Sequence, residues 1–351
     1  MLPPRIICHT TDDCGAAGPG TAAAFTQFNL RYLREKVRQR LRACGGESRI
    51  VSVSVLRDLE SEIESRHERG DFDEGFYGVE LSFFQFRPPD SLPGARSVIV
   101  LAVPQPLVSA TFARTGKLRR FVIPPTYDVS VNSSVEDMLA RTLEPDGYRI
   151  APSALPLKLL AVRSGLAAYG KNNICYVPRM GSYIRLMSFY SDLPASDDGW
   201  AEPAMLDRCR KCSACVNACF THAIDPDRFL LHAERCLTFR NEHTGRFPDW
   251  VEPSWHHCLV GCMQCQAICP ENARAAEWIE SGPTFSEEET ELLLGGVSRE
   301  ELSEELARKL ETLGLLEYLE LLPRNLRVLM DQDRHLDGRV RVEPEPGSHL
   351  Q

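Results

Sequence analysis

Nine of the chain's 13 cysteines fall between Cys209 and Cys269, and this cluster constrains the fold more than any other feature of the sequence. Residues 205–272 are rich in Cys, His and Pro, and they show neither helical nor strand periodicity. Such a segment predicts a small domain held by metal–thiolate bonds rather than by an apolar core. The N-terminus shows no secretory signal, so a disulfide framework is a poorer explanation.

The spacing of these cysteines indicates iron–sulfur clusters. The first run contains Cys209, Cys212, Cys215 and Cys219, the second contains Cys258, Cys262, Cys265 and Cys269, and Cys236 lies between them. Three cysteines at successive two-residue spacings suit one cuboidal cluster, and the fourth ligates the other cluster in two-cluster ferredoxins. A zinc site normally uses separated pairs of cysteines. The runs therefore predict two [4Fe–4S] clusters.

Eight ligands are needed and nine cysteines are available. One cluster takes Cys209, Cys212, Cys215 and Cys269. The other takes Cys219, Cys262 and Cys265. Cys236 and Cys258 compete for its last position, and the spacing alone does not choose between them.

The chain before the cysteines alternates between helical and strand patterns. Helices are predicted over 22–43, 57–68, 134–143 and 157–164, and strands over 49–55, 97–103, 174–177 and 183–190. Residues 286–329 have a helical pattern with leucines on one face. The predicted class is α+β, with an α/β domain over 1–200, a two-cluster ferredoxin-like domain over 201–275, a helical segment over 276–330 and a flexible tail over 331–351.

The charge distribution argues against a nucleic-acid partner. The net charge is −9, and residues 271–351 contain 19 acidic and nine basic residues. An anionic surface repels a phosphate backbone, so we expect that nucleic acids, transfer RNA among them, are not substrates of this chain. No apolar run is long enough to cross a membrane, and we expect a cytoplasmic protein.

Several motifs resemble those of the epoxyqueuosine reductase family and, more distantly, of reductive dehalogenases. They are Leu92–Val100, Ser164–Asn173, Gly181-Ser182, Asp192–Pro194, Arg235–Thr238 and Gly261–Asn272, together with the first cysteine run. The resemblance implies a corrinoid-binding domain joined to a two-cluster domain. It also implies that Cys236, in its Arg-Cys segment, is the eighth cluster ligand.

The resemblance also implies further site residues. Gly170, Lys171, Asn172 and Ser182 correspond to the corrinoid site. The family's acidic proton donor is absent, because Ala151 stands at its position. We therefore expect the proton to come from Tyr169, Tyr127 or Asp128, with Lys171 near enough to Tyr169 to stabilise a phenolate.

These features predict a cobalamin-dependent iron–sulfur reductase. An external ferredoxin or flavodoxin would supply electrons, and a small molecule or a protein would be the substrate. Two alternatives stay open: an electron-transfer partner that has no substrate of its own, and a reductase of epoxyqueuosine in transfer RNA.

Overall fold

The structure is a computed structural model that describes residues 22–195 and 199–332, with side chains from Asn29 onward. The α-helices are α1 (Ala22–Ala43), α2 (Leu56–Glu68), α3 (Glu74–Phe76), α4 (Ser130–Leu143), α5 (Leu157–Arg163), α6 (Ala214–Asn217), α7 (Leu237–Glu242), α8 (Gln264–Ala267), α9 (Glu287–Gly295), α10 (Glu304–Thr312) and α11 (Leu322–Met330). The strands are β1 (Glu47–Ser52), β2 (Ser97–Pro104), β3 (Leu107–Arg114), β4 (Lys117–Ile123), β5 (Ile150–Pro152), β6 (Ala168–Tyr169), β7 (Cys175–Tyr176), β8 (Ile184–Ser191) and β9 (Ile279–Phe285). The predicted tail lies outside the described residues beyond position 332.

A four-stranded antiparallel sheet in the order β1-β2-β8-β5 organises the first half of the chain. Strand β2 is a continuous apolar run because helices cover both faces of the sheet. Val98 and Val100 pack toward α2 and α5, whereas Ile99 and Leu101 pack toward α1 and α4. The predicted α+β class is confirmed. The sheet is antiparallel, and helices pack on both of its faces.

A second sheet joins the C-terminal segment to the first half of the chain. It has the order β4-β3-β9, with β3 and β4 forming an antiparallel hairpin and β9 running parallel to β3. Phe112 of β3 stacks on Phe285 of β9 with ring centroids 4.4 Å apart. Helices α9, α10 and α11 pack their leucines on this sheet, and the predicted leucine face includes the buried Leu306 and Leu310.

The second sheet was not predicted. The hairpin turns at Thr115-Gly116, where both residues have positive φ, but this pair lacks the Asn-Gly or Asp-Gly signal of such turns. The helical segment predicted from residue 276 therefore begins with a strand, β9, before its helices.

A third, two-stranded sheet positions the motif around Gly170. Strand β7 pairs with β6, and it covers Cys175 and Tyr176 of the strand predicted over 174–177. The β6–β7 hairpin closes through residues 170–174, with Asn173 in the left-handed region. None of the helices among the described residues is both long enough and apolar enough to cross a membrane.

Candidate functional site: two thiol sets beside a large cavity

The structure brings eight cysteines together as two groups of four. We call Cys209, Cys212, Cys215 and Cys269 the first thiol set, and together they line one small cavity. We call Cys219, Cys236, Cys262 and Cys265 the second thiol set, and they line another. Each set draws on both cysteine runs, as in two-cluster ferredoxins.

Short helices place these thiols. Cys215 lies in α6 and Cys265 in α8, and each follows its preceding cysteine by three positions. The two helices pack against each other. Among the described residues, no group of three or more His, Cys, Asp or Glu side chains converges closely enough to hold a single metal ion.

The thiols are buried in surroundings that suit iron–sulfur ligation. Burial raises the pKa of Cys215 to about 11, with the thiols of Cys209 and Cys269 adding to the shift. It likewise raises the pKa of Cys236 to about 11 and that of Cys262 to about 12. Such thiols stay protonated at neutral pH unless a bound cation replaces the proton, as metal coordination does.

The ninth cysteine lies in a different environment. Cys258 is 1% exposed and belongs to an apolar cluster with Leu107, Val122 and Met263. Its backbone forms a bridge with Val122 of β4. Cys258 therefore packs in the core, whereas Cys236 faces the cavity of the second thiol set.

Asn172 and Tyr176 lie between the two thiol sets. Asn172 lines both small cavities, and its Nδ2 donates to the Tyr176 hydroxyl at 3.0 Å. Asn172 also hydrogen-bonds Cys265 of the second set, and the Tyr176 hydroxyl donates to Cys269 of the first. A Cβ at Gly170 would lie 2.5 Å from both side chains, so the glycine leaves room for this bridge.

Replacing Tyr176 by Phe should lower the reduction potential of the cluster on the first thiol set. A hydrogen bond to a cluster sulfur stabilises the more negative, reduced state. Its loss removes about 0.5–1.5 kcal/mol, which for one electron is roughly 20–60 mV. Redox titration followed by electron paramagnetic resonance measures the shift.

Tyr183→Phe is the matched control for this substitution. Tyr183 is also buried near the cysteines, but its hydroxyl has no hydrogen-bond partner among the described residues. Its removal should leave both potentials unchanged. Equal shifts in the two variants would show that the Tyr176 hydrogen bond does not tune the cluster.

A large cavity of about 690 Å³ adjoins the second thiol set. Its wall includes Arg66, Phe84, Ser153, Tyr169, Ile174 and Gln266. Ile174 and Gln266 also line the cavity of the second thiol set. The volume is within the roughly 300–1,000 Å³ of cofactor and small-molecule sites, and such sites are mostly apolar with a few polar groups.

Tyr169 is the predicted proton donor that lines the large cavity. It is 6% exposed, and its ring meets Phe229 edge-on with centroids 5.2 Å apart. Burial, with the Cys175 thiol adding to it, raises the pKa of Tyr169 far above its usual value. The cation that favours its ionised form is Arg66, which the sequence analysis missed.

The other predicted corrinoid residues are divided between two places. Gly170 and Lys171 line the cavity of the first thiol set, and the Lys171 backbone N–H donates to Cys209. Lys171 was expected beside Tyr169, but it lies with these thiols. Ser182 lines the large cavity; its Oγ donates to Gln266 and accepts from Asn272, both at 2.8 Å.

Tyr127 and Asp128 do not line the large cavity. Asp128 is buried, and its Oδ1 accepts from the Ser130 backbone at 3.0 Å, near the start of α4. Tyr127 lines a separate cavity of about 430 Å³, here called the side cavity, with Arg185, Glu242 and Tyr318. Its hydroxyl donates to the Glu242 carboxylate. Thr126 and Arg185 line both the side cavity and the large cavity, so the two adjoin.

Replacing Glu242 by Gln should remove a loss of stability at alkaline pH. Burial, and then the Glu80 carboxylate, raises the pKa of Glu242 from 4.5 to about 8. At a pH between these two pKa values, the Glu242 side chain is protonated in the folded state and ionised in the unfolded state. Stability therefore falls as the pH rises through this window, by on the order of 4 kcal/mol. The neutral amide avoids this cost.

The measurement is the apparent melting temperature of both proteins at about pH 5 and about pH 8.5, at one heating rate. The variant should lose less stability than the native protein between these conditions. Glu311→Gln removes an exposed carboxylate from the same side cavity and should leave the pH dependence as it is. If both variants behave alike, Glu242 does not hold this proton.

The comparison with known families matches the cysteine region. Residues 208–272 match the 4Fe-4S double cluster binding domain, so the prediction of two clusters is confirmed. The epoxyqueuosine reductase of Staphylococcus aureus is 28% identical over 233 residues, which cover 63% of this chain and 60% of that protein. The resemblance to epoxyqueuosine reductases is confirmed, and the chain spans about three fifths of the length of this relative.

Solved structures show the same fold. Epoxyqueuosine reductase from Streptococcus thermophilus aligns with a TM-score of 0.58 and 18% identity, over 87% of this chain and 80% of that one. A crystal structure of epoxyqueuosine reductase with an epoxyqueuosine-modified tRNA stem loop aligns with a TM-score of 0.56 and 21% identity, over 87% of each chain.

Proposed function

We propose that this chain is a corrinoid-dependent reductase whose two [4Fe–4S] clusters supply electrons for a reduction in the large cavity. The observation that carries this proposal is the serial arrangement of the sites. Asn172 joins the two thiol sets, and Ile174 and Gln266 join the second set to the large cavity. Electrons that enter at the first set would therefore move toward a space that can hold a cofactor and a substrate.

The two thiol sets are the proposed cluster ligands. Each set supplies the four cysteines that a [4Fe–4S] cluster requires. The position of Cys236 on the second cavity supports it as the eighth ligand, and the apolar packing of Cys258 counts against that residue. The carboxamide of Asn172 and the hydroxyl of Tyr176 would orient and polarise the bound thiolates.

The large cavity is the proposed corrinoid and substrate site. A bound corrinoid would supply a strongly reducing metal centre, while the protein supplies position, electrostatics and a proton. The aromatic wall suits a large, mostly apolar ring, and Ser153, Ser182 and Gln266 offer hydrogen bonds at its edge. Arg66, held by Glu62 at 3.1 Å, places a positive charge on the same wall.

The comparisons do not support our expectation of a substrate other than transfer RNA. One of the structural neighbours is solved with a modified tRNA stem loop. The first substrate to test is therefore an epoxyqueuosine-modified stem loop. The absence of the family's acid at Ala151, which lies buried in β5, makes the proton source the point at which this chain differs.

Anaerobic reconstitution with iron, sulfide and cobalamin tests the proposal. We expect about eight iron atoms per chain, since two four-iron clusters are bound, and cobalt in about a one-to-one ratio to the chain. Clusters without cobalt would instead support the electron-transfer partner. Stoichiometric zinc, or about half of the expected iron, would contradict the cluster assignment itself.

A further inference from the structure

A wide basic cleft adjoins the first thiol set. The cleft has a volume of about 1260 Å³, and its wall includes Arg42, Tyr176, Arg179, Arg208, Pro270 and Arg274. Tyr176 and Pro270 also line the cavity of the first thiol set. The cleft and the large cavity share no lining residue among the described parts of the chain. The cleft therefore adjoins the first thiol set and is separate from the large cavity.

The charge around the cleft is opposite to that of the whole chain, which carries −9. The cations are the four arginines of the wall together with Arg210 and Lys211, which flank Cys209 and Cys212. The carboxylates are Glu35, Glu47, Asp207 and Glu271, and each pairs with at least one of these arginines. Six cations against four carboxylates leave a positive rim around the first thiol set.

The arginines of the cleft are exposed to solvent. The side chain of Arg179 is 85% exposed and that of Arg208 is 61% exposed, and Arg274 is also exposed. Ion pairs this exposed contribute little to stability. Complementary charge across an interface instead raises the rate of association, by roughly 10- to 1,000-fold.

We propose that this basic cleft is the docking surface for an acidic electron-carrier protein, which reduces the cluster on the first thiol set. This inference rests on the proposed function, because it requires a cluster at that set. In each transfer the carrier loses one electron and the cluster gains one. The cleft exceeds the usual size of a small-molecule site, which fits a protein partner. The cleft shares no lining residue with the large cavity among the described parts of the chain, so the electron donor and the substrate would bind at separate places.

The test is anaerobic stopped-flow reduction of the reconstituted protein by a reduced, acidic plant-type ferredoxin and, separately, by dithionite. In the native protein, the ferredoxin rate should fall as salt is added. The double variant Arg179→Glu with Arg274→Glu should slow reduction by ferredoxin about tenfold or more at low salt. Its rate with dithionite should remain that of the native protein.

The matched control is Arg120→Glu with Arg141→Glu, which makes the same change in net charge at exposed positions outside the cleft. The control should be reduced by ferredoxin at close to the native rate. Equal slowing in both double variants would overturn the proposal, as would equal slowing with ferredoxin and dithionite. Loss of tRNA stem-loop binding with unchanged ferredoxin kinetics would make the cleft a nucleic-acid site instead. Failure of dithionite to reduce the native protein would count against the clusters of the proposed function, not against the docking surface.

Discussion

Replacing Cys236 by Ser should remove one of the two clusters and leave the other in place. Cys236 lines the cavity of the second thiol set, and burial there raises the pKa of its thiol to about 11. A serine hydroxyl ionises far less readily and is a poor ligand for iron in such a site. Iron content after anaerobic reconstitution should fall by about half, and electron paramagnetic resonance should retain the signal of the first cluster.

Cys258→Ser is the control that separates the two candidates for the eighth ligand. Cys258 packs among Leu107, Val122 and Met263, so its replacement places a hydroxyl in an apolar cluster. This costs stability, on the order of 1–3 kcal/mol, but leaves all eight proposed ligands present. Full iron content is expected. If Cys258→Ser loses a cluster while Cys236→Ser retains both, the ligand assignment must be reversed.

The cysteine pattern could be predicted because ligation depends on local spacing. In the first run, two residues between successive cysteines bring three thiols of one set together, and the fourth, Cys269, comes from the second run. The second set takes only Cys262 and Cys265 from a single two-residue spacing. The spacing left open whether Cys236 or Cys258 is the eighth ligand, because that choice depends on contacts between distant parts of the chain. What separates them in the structure is the hydrophobic environment of Cys258 against Val122 of β4, a strand that the sequence analysis did not predict.

The residues around the large cavity were harder to predict, since they come from distant segments. Arg66 of α2 and Tyr169 of β6 line the same cavity, and nothing in the sequence near either residue shows this. The Gly170 motif was visible in the sequence, but the sequence did not show which group its glycine makes room for. The resemblance implies a corrinoid site at this glycine, but the space beside it is filled by Asn172 and Tyr176. A glycine indicates that a side chain would not fit at its position, but it does not identify the group that occupies the space.

Few acidic groups that line the large cavity are free to donate a proton. Among the described residues, Glu62 is the only carboxylate that lines the cavity, and its oxygens accept from Arg66 and Arg163 at 3.1 and 2.9 Å. The Cys175 thiol donates to the Lys158 carbonyl at 3.3 Å. Tyr169 is the remaining neutral acid on the wall, and its raised pKa keeps it protonated at neutral pH.

Tyr169→Phe should therefore retain cobalamin binding and lose most of the turnover. Reductive cleavage leaves negative charge on the departing atom, and a positioned acid contributes about 10²–10⁴-fold to such a step. The phenylalanine keeps the edge-on contact with Phe229, so the packing of the wall is preserved. The measurements are the rate on an epoxyqueuosine-modified stem loop and the absorption spectrum of bound cobalamin.

Tyr127→Phe is the matched comparison, because it removes the same hydroxyl from the side cavity, where that group donates to Glu242. If the proton is delivered inside the large cavity, Tyr127→Phe should retain most of the rate and Tyr169→Phe should not. The reverse result would place the acid at the Tyr127–Glu242 pair and would predict that Glu242→Gln is also slow. Native rates in both tyrosine variants would exclude both phenols as the donor. The carboxylate of Glu62 already accepts hydrogen bonds from two arginines, so the proton would then have to come from the substrate or from water.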